Sequence, residues 1–400
     1  MESSFVSLLG VAALAFAVPF ILGFFPRLRL PAVVAEVVVG IIVGPAVLGW
    51  LQPTELLDAL AGLGVAFLLF LAGLELNLGS LAGEPARRGS LGFVTTFLLG
   101  LALTIPLGIA GWIISPLFVA VALSATSVGI IVPVLRDTGQ LTTRPGLFAI
   151  AGGSVAEFAT IAMLGIFFAR EGSTTLIEIA LMVALALLSI IALRLLHRLS
   201  RWEPGRRILD RLDESTSQPR VRFAVLAVIA AAAIALAFGF EAILGTFLAG
   251  ILFGIVIRGD RYEKPLRLRL EALGYGFFVP IFFISSGLGF DAAGLDDALE
   301  WIHAGVFLAI LLLIHAVPAL ILHRRALGVP TALAVGLLQA TNLSFVVVAV
   351  GIGEEIGRVG QLNGSALIVA GLLSAVLFPV AAQTLLAHTP SAISHTRHAP

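Results

Sequence analysis

The sequence predicts an all-α polytopic membrane protein of about thirteen transmembrane helices in two inverted repeats, and three observations carry that prediction. The 400 residues are 59% hydrophobic and 12% charged, with a mean hydropathy of +1.08, whereas soluble domains carry about 25% charged residues. Apolar stretches near the ~20 residues that a helical span needs recur from Phe5 to Ala387. Several short segments of the first half return in the second. This composition excludes a soluble enzyme and a nucleic-acid binder. The absence of cysteine excludes disulfides, thiolate metal sites and thiol chemistry. The 42 glycines and 19 prolines suit membrane helices, where close packing and deliberate breaks use them.

In chain order the predicted spans are about 4–25, 31–51, 58–78, 89–111, 112–135, 145–169, 174–196, 221–239, 241–258, 271–290, 301–322, 330–353 and 361–387. The first is read as a retained span, since Glu2 stands where a signal peptide would be basic and no small-residue cleavage site follows. The links are short and polar, leaving no room for a soluble domain, so residues 1–400 form one transmembrane unit. Orientation follows from the cationic loops, which face the cytoplasm. With the N-terminus outside and the C-terminus inside, 22 of the 24 Lys and Arg residues fall on the inner side, and only Arg170 and Arg358 fall outside. A missed helix would scramble every later loop.

The repeats are explicit. AFLLFLAGLELN at 66–77 resembles PIFFISSGLGFD at 280–291, placing Gly73 on Gly287, while VVVGIIVGP and TFLAGILFG place Gly40 and Gly44 on Gly250 and Gly254. SATSVGIIV at 124–132 resembles QATNLSFVV at 339–347 and places Thr126 on Thr341. The copies cover about 1–170 and 221–388, joined by a helix at about 174–196 and a basic loop at about 197–220. An odd number of crossings separates equivalent spans, so the copies are inverted, as in many secondary transporters whose sites lie where broken helices meet. The GxxxG pairs read most simply as close-packing surfaces.

The candidate breaks are the A-T-S and A-T-N segments. Thr126, Ser127, Thr341 and Asn342 sit mid-span, where their oxygens can satisfy unwound backbone or coordinate a dehydrated cation. Helix packing is the alternative for these four residues. An ionisable side chain at mid-membrane is a functional candidate by default, and Glu157 is one: it lies eleven residues past Gly146, about 16 Å along a helix. A protonated Glu bonded to a neighbouring helix is the other reading. His315, also mid-span, is either a satisfied core histidine or a titratable group that modulates Glu157. Glu36 and Glu75 lie nearer span ends.

LPAVVAEVVVGIIVGPAVLG, LGVAFLLFLAGLEL, ALSATSVGIIVPVL, ILGTFLAGIL and FFVPIFFISSGLGFD together resemble the monovalent cation:proton antiporter-2 family, over essentially the whole chain. That resemblance implies thirteen spans in two inverted repeats, two crossed broken helices, a dimerisation domain beside a mobile core domain, and a homodimer. It also implies that the sixth-span acid pair of the family falls on Ala156 and Glu157. The eleventh-span basic position falls on His315, and a twelfth-span Glu position falls on Asn342. The chain is therefore expected to be a secondary active antiporter, not an enzyme, in a bacterial inner membrane. It would exchange Na+ or K+ for protons electroneutrally, with both competing for Glu157 and with Thr126 beside it at the cation. No cofactor is expected, and no nucleic acid; the partners are the substrate ions, the lipid bilayer and a second copy. Proton-coupled transport of another solute and a transport-inactive sensor or assembly subunit are the alternatives.

Overall fold

The computed structural model describes residues 2–25, 31–45, 47–75, 83–137, 140–141, 143–167, 218–237, 242–259, 261–290 and 298–387. The predicted span at 174–196 and most of the basic loop after it lie outside the described residues. Every regular element described is helical: α1 Glu2–Phe24, α2 Ala32–Val43, α3 Glu55–Glu75, α4 Gly83–Ile109, α5 Pro116–Ser124, α6 Val128–Asp137 and α7 Arg144–Phe167. After the central link come α8 Pro219–Ala237, α9 Ala242–Ile257, α10 Glu263–Leu273, a π-helical turn Gly274–Phe278, α11 Val279–Leu288, α12 Ala298–Leu327, α13 Val329–Gln339, α14 Ser344–Glu355 and α15 Gln361–Ala387. Among the described residues, eight helices are long and apolar enough to span a membrane, or nine when the pair α13 and α14, bent by 41°, counts as one. The outer faces are apolar too: Leu9 and Phe16 of α1 are 71% and 70% exposed, the surface of a helix that meets lipid. The protein is an all-α polytopic membrane protein.

Where the predicted spans differ from the helices, local chemistry explains it. The stretch 31–51 is helical only to Val43, because Pro45 cannot continue a helix and drives Gly44 to an extended conformation, φ −72° and ψ 178°. The stretch 271–290 begins earlier, as the polar α10, and passes through the π-helical turn into apolar α11. The stretches 112–135 and 330–353 are each two short helices. Pro116 opens α5 behind the Ser115 cap, whose hydroxyl accepts from the Phe118 amide at 3.4 Å. Gly328, at φ +80°, makes the tight corner from α12 into α13.

The helices pack as two groups. α1, α2, α3, α8, α9, α10 and α11 form a panel, and α4, α5, α6, α7, α12, α13, α14 and α15 form a core, with α7 against α9 and α15 against α2 bridging them. The panel is held by two crossings without side chains at the contact. A Cβ on Gly40 would lie 3.0 Å from the Gly287 Cα and closer still to the Ile284 carbonyl oxygen; a Cβ on Gly73 would strike the Phe247 carbonyl oxygen and come within 3.2 Å of the Gly250 carbonyl carbon. The predicted equivalences exchange these pairs: Gly40 corresponds to Gly250 and Gly287 to Gly73, so the contact of α2 with α11 is the contact of α9 with α3 repeated. One turn on, Gly44 meets Leu288 and Gly254 meets Leu74. The GxxxG pairs are close-packing surfaces, as predicted.

Candidate functional site

The site begins with two interrupted helices. α5 stops at Ser124 and Ala125 turns extended, φ −71° and ψ 161°. α13 stops at Gln339, and α14 resumes only at Ser344. Each break frees backbone groups that cannot remain unpaired in an apolar interior, and each satisfies the other. The Ser127 amide donates to the Thr341 carbonyl at 2.8 Å, the Thr126 hydroxyl donates to the Gln339 carbonyl at 2.8 Å, and the Asn342 side-chain amide donates to the Ala122 carbonyl at 2.8 Å. The Asn342 backbone amide donates to the Ser374 hydroxyl of α15 at 3.1 Å. The two broken helices therefore meet at their breaks, and all four predicted residues lie in one crossing.

Their side chains are not equivalent. Thr126 and Thr341 commit their hydroxyl protons to backbone carbonyls, Thr341 to Leu337 at 3.3 Å. The Ser127 hydroxyl and the Asn342 side-chain carbonyl oxygen are buried without a hydrogen-bond partner. Such atoms are uncommon in a folded interior and call for a ligand or water. Two neutral oxygens at a pair of helix breaks are chemically suited to a partly dehydrated monovalent cation.

Glu157 stands fourteenth in the 24-residue α7 and is half-buried. One turn before it, Gly153 lies against the break: a Cβ there would come 2.9 Å from Val128 Cγ2 and 3.3 Å from Thr126 Cγ2. Residues four apart share a helix face, so Glu157 belongs to the face that packs on the crossing. Its neighbour Phe158 meets Phe247 of the panel at 6.0 Å between ring centroids, placing this part of α7 at the seam between core and panel. Glu75, at the end of α3, is within electrostatic reach of Glu157, and Arg267 and Glu271 are within reach of Glu75. The sequence placed Glu75 only near a span end, because nothing local marks which helix faces it. Glu36 is buried in the first half of α2.

His315 is brought to the core of the crossing, but its Nδ1 bonds the Leu311 carbonyl at 3.0 Å, one turn back on its own helix, instead of an acid. With Ser124, Thr126 and Ala156 it lines a cavity that also takes in Arg88, His323 and Gln339. Sequence reasoning missed that cavity, although its small-residue lining at Gly89, Gly92, Gly152 and Ala156 is the trace it leaves in the chain. Among the described residues no three His, Asp or Glu side chains form a metal-ion cluster, so a bound cation would depend on one carboxylate and neutral oxygens.

Comparison with known proteins agrees with this geometry. The family described as "Sodium/hydrogen exchanger, transmembrane" matches residues 12–388. A Bacillus subtilis protein named as a candidate Na+/H+ antiporter is 28% identical over 395 residues, 95% of this chain, and the match spans 62% of that relative's length. A probable Na+/H+ antiporter of Methanocaldococcus jannaschii is 26% identical over 95% of this chain and 96% of its own. The Na+/H+-K+ antiporter GerN of Bacillus cereus is 29% identical over 71% of this chain and 72% of its own. The structure of the sodium proton antiporter MjNhaP1 from M. jannaschii superposes with a TM-score of 0.63, covering 96% of this chain and 99% of that one at 14% identity, a likeness of fold. With a match running through both broken helices and α7, the chain belongs to the sodium/hydrogen exchanger family of membrane transporters.

Proposed function

We propose that the chain is a secondary active antiporter that exchanges a monovalent cation, Na+ or K+, for a proton by alternating access. The observation that carries this reading is the crossing of two broken helices with unspent oxygens on Ser127 and Asn342 beside the mid-helix acid Glu157. Glu157 carries a proton in one half of the cycle and ligates the cation in the other; Ser127 and Asn342 supply neutral oxygen, and Thr126 and Thr341 hold the breaks open. The core moves against the panel, and the sparse bridging between the two supports that motion, since small interfaces permit it. Residues about 1–170 and 221–388 are the two inverted repeats, a reading supported by the exchanged glycine pairs. The test is proton flux in proteoliposomes against a series of cations: flux driven by Na+ or K+ supports the assignment, and flux driven by neither points to another solute.

Exchange should be electroneutral. Ala156 cannot ionise, so Glu157 alone is neutralised by one proton or one monovalent cation, and both loaded forms cross with the same charge. A cycle moving net charge would respond to voltage by ~2.3 kcal/mol per charge per 100 mV. With opposing cation and pH gradients balanced to zero flux, an imposed membrane potential should restart nothing; flux proportional to the potential would show a second titrating group in the cycle.

The chain resides in a bacterial inner membrane as a homodimer, N-terminus outside and C-terminus cytoplasmic. Gln52 is exposed in the link after α2 and Lys264 in the first turn of α10, on opposite sides in this topology. A cysteine at Gln52 should react with an impermeant label on intact cells, and one at Lys264 only after lysis; the reverse pattern would invert the topology.

A further inference from the structure

Gln339 is the last residue of α13, and its backbone and side chain reach in different directions. Its carbonyl accepts the Thr126 hydroxyl at 2.8 Å, which ties the two breaks together. Its side chain lies on α7, where the amide nitrogen donates to the Phe148 carbonyl at 3.5 Å. One residue therefore joins both broken helices to the helix that carries Glu157. Among the described residues, none of the hydrogen bonds made by Thr126, Ser127, Thr341 or Asn342 reaches α7.

The local sequence of α7 makes room for that side chain. Phe148, Gly152 and Ala156 recur every four residues and form one face. In an α-helix each carbonyl points at the amide four residues on, so the Phe148 carbonyl faces Gly152 and keeps a lone pair for a second donor. A side chain at 152 would cover it. A Cβ built on Gly152 would strike the Gln339 amide nitrogen, and the three atoms nearest to that Cβ all belong to the Gln339 amide. On α4, a Cβ on Gly89 would lie 3.0 Å from the Gly152 Cα, so a second backbone closes on α7 at the same level. Gly152 is thus the seat of the Gln339 amide. The next residue, Gly153, is the contact of α7 with Val128 and Thr126, and Glu157 stands one turn beyond it.

From this arrangement we propose that Gln339 is a positioning residue for the cation: seated on α7, it fixes the height and rotation at which the Glu157 carboxylate meets the Ser127 and Asn342 oxygens. The inference rests on the reading of Glu157 as the shared site. The two substrates demand different geometry. A proton binds one carboxylate oxygen and asks nothing of the crossing. A cation needs the carboxylate and the neutral oxygens together, and these come from three segments: α7, the break between α5 and α6, and the break between α13 and α14. A productive constellation tolerates displacements of only about 0.5 Å. The contact of Gly153 with the methyl carbons of Val128 and Thr126 is nondirectional and lets the helix slide, whereas a seated, hydrogen-bonded amide resists sliding. Gln339 therefore acts on cation affinity and leaves the proton chemistry of Glu157 alone.

Cation-driven proton flux, measured against cation concentration with the full-length protein in proteoliposomes, tests this. Gln339→Ala empties the seat. Gly152→Ala fills it and expels the amide, which can yield because it is the far end of a flexible side chain. Each should raise the half-saturating concentration of Na+ or K+ about tenfold, the scale on which groups that orient a metal ligand set affinity, and should retain flux at saturating cation. The double variant should be no worse than either single one, because both changes break the same contact. Unchanged half-saturation in both single variants would overturn the proposal. So would a loss of saturating flux with half-saturation unmoved, which is what a packing role alone would give, and so would additive effects in the double variant. Glu157→Gln, assayed beside them, separates the two readings. Full flux in that variant overturns Glu157 as the shared site, whereas background flux there, with half-saturation unmoved in Gln339→Ala and Gly152→Ala, overturns Gln339 alone.

Discussion

Glu157→Gln should reduce cation-driven proton flux to background while leaving the protein folded. Glutamine keeps the length and volume of the side chain and can still accept hydrogen bonds from the crossing, but it cannot take up or release a proton and brings no charge to the cation. Nothing in α7 depends on the charge for packing: the helix is held by Gly153 against Thr126 and Val128, Phe158 against Phe247, and Thr160, whose hydroxyl donates to the Ala156 carbonyl at 2.6 Å. Removing a costly mid-membrane ionisable group should, if anything, favour the folded state. Glu157→Asp should retain partial activity, since it keeps the acid with a shorter reach. Gel-filtration profile and proton flux, measured on the same preparations, check both halves; flux at the unaltered rate in Glu157→Gln would refute the assignment.

Gly250→Leu should have the largest effect on stability. A Cβ at Gly250 would strike the Phe70 carbonyl oxygen and come within 3.0 Å of the Leu74 amide nitrogen. Both obstacles are backbone, so no rotamer change relieves them and α9 must move off α3. Overpacking a core costs about 1–3 kcal/mol where side chains can yield, and here the cost should exceed that range. Gly287→Leu should behave alike, meeting the Val37 carbonyl oxygen and, at 2.8 Å, the Gly40 Cα. Gly305→Leu on α12, where nothing lies within 4 Å, is the control and should be tolerated. Thermal aggregation of the solubilised variants measures the difference. Equal stability of Gly250→Leu and Gly305→Leu would mean that the helices do not cross this closely.

Much of this was legible in the chain because a membrane imposes a strong local signal. Apolar length located the described spans, and the A-T-S and A-T-N segments located both breaks, since interrupted backbone in hydrocarbon needs polar side chains beside it. Glu157 was legible as a mid-helix acid for the same reason. The repeat offsets paired Gly40 with Gly250 and Gly73 with Gly287 as equivalents, but a sequence equivalence is not a contact. That Gly40 touches Gly287, as Gly250 touches Gly73, appears only once the helices are placed. His315 was legible only as either a satisfied core histidine or a titratable group that modulates Glu157; in the structure its Nδ1 bonds the Leu311 carbonyl and its Nε2 lies buried beside a cavity. Which face a buried histidine presents depends on helices some 160 to 230 residues away in the chain, at Thr126, Ala156 and Arg88. The end of α2 at Val43 was hidden because 31–51 stays apolar through Gly44 and Pro45, and hydropathy does not register a proline.

The central claim is that one carboxyl group binds either the proton or the cation. It is tested most directly by adding Na+ or K+ to the solubilised protein in weakly buffered solution near neutral pH and measuring the protons released. The account predicts a saturable release that approaches one proton per chain at most, and none from Glu157→Gln. Undiminished release from Glu157→Gln would contradict it.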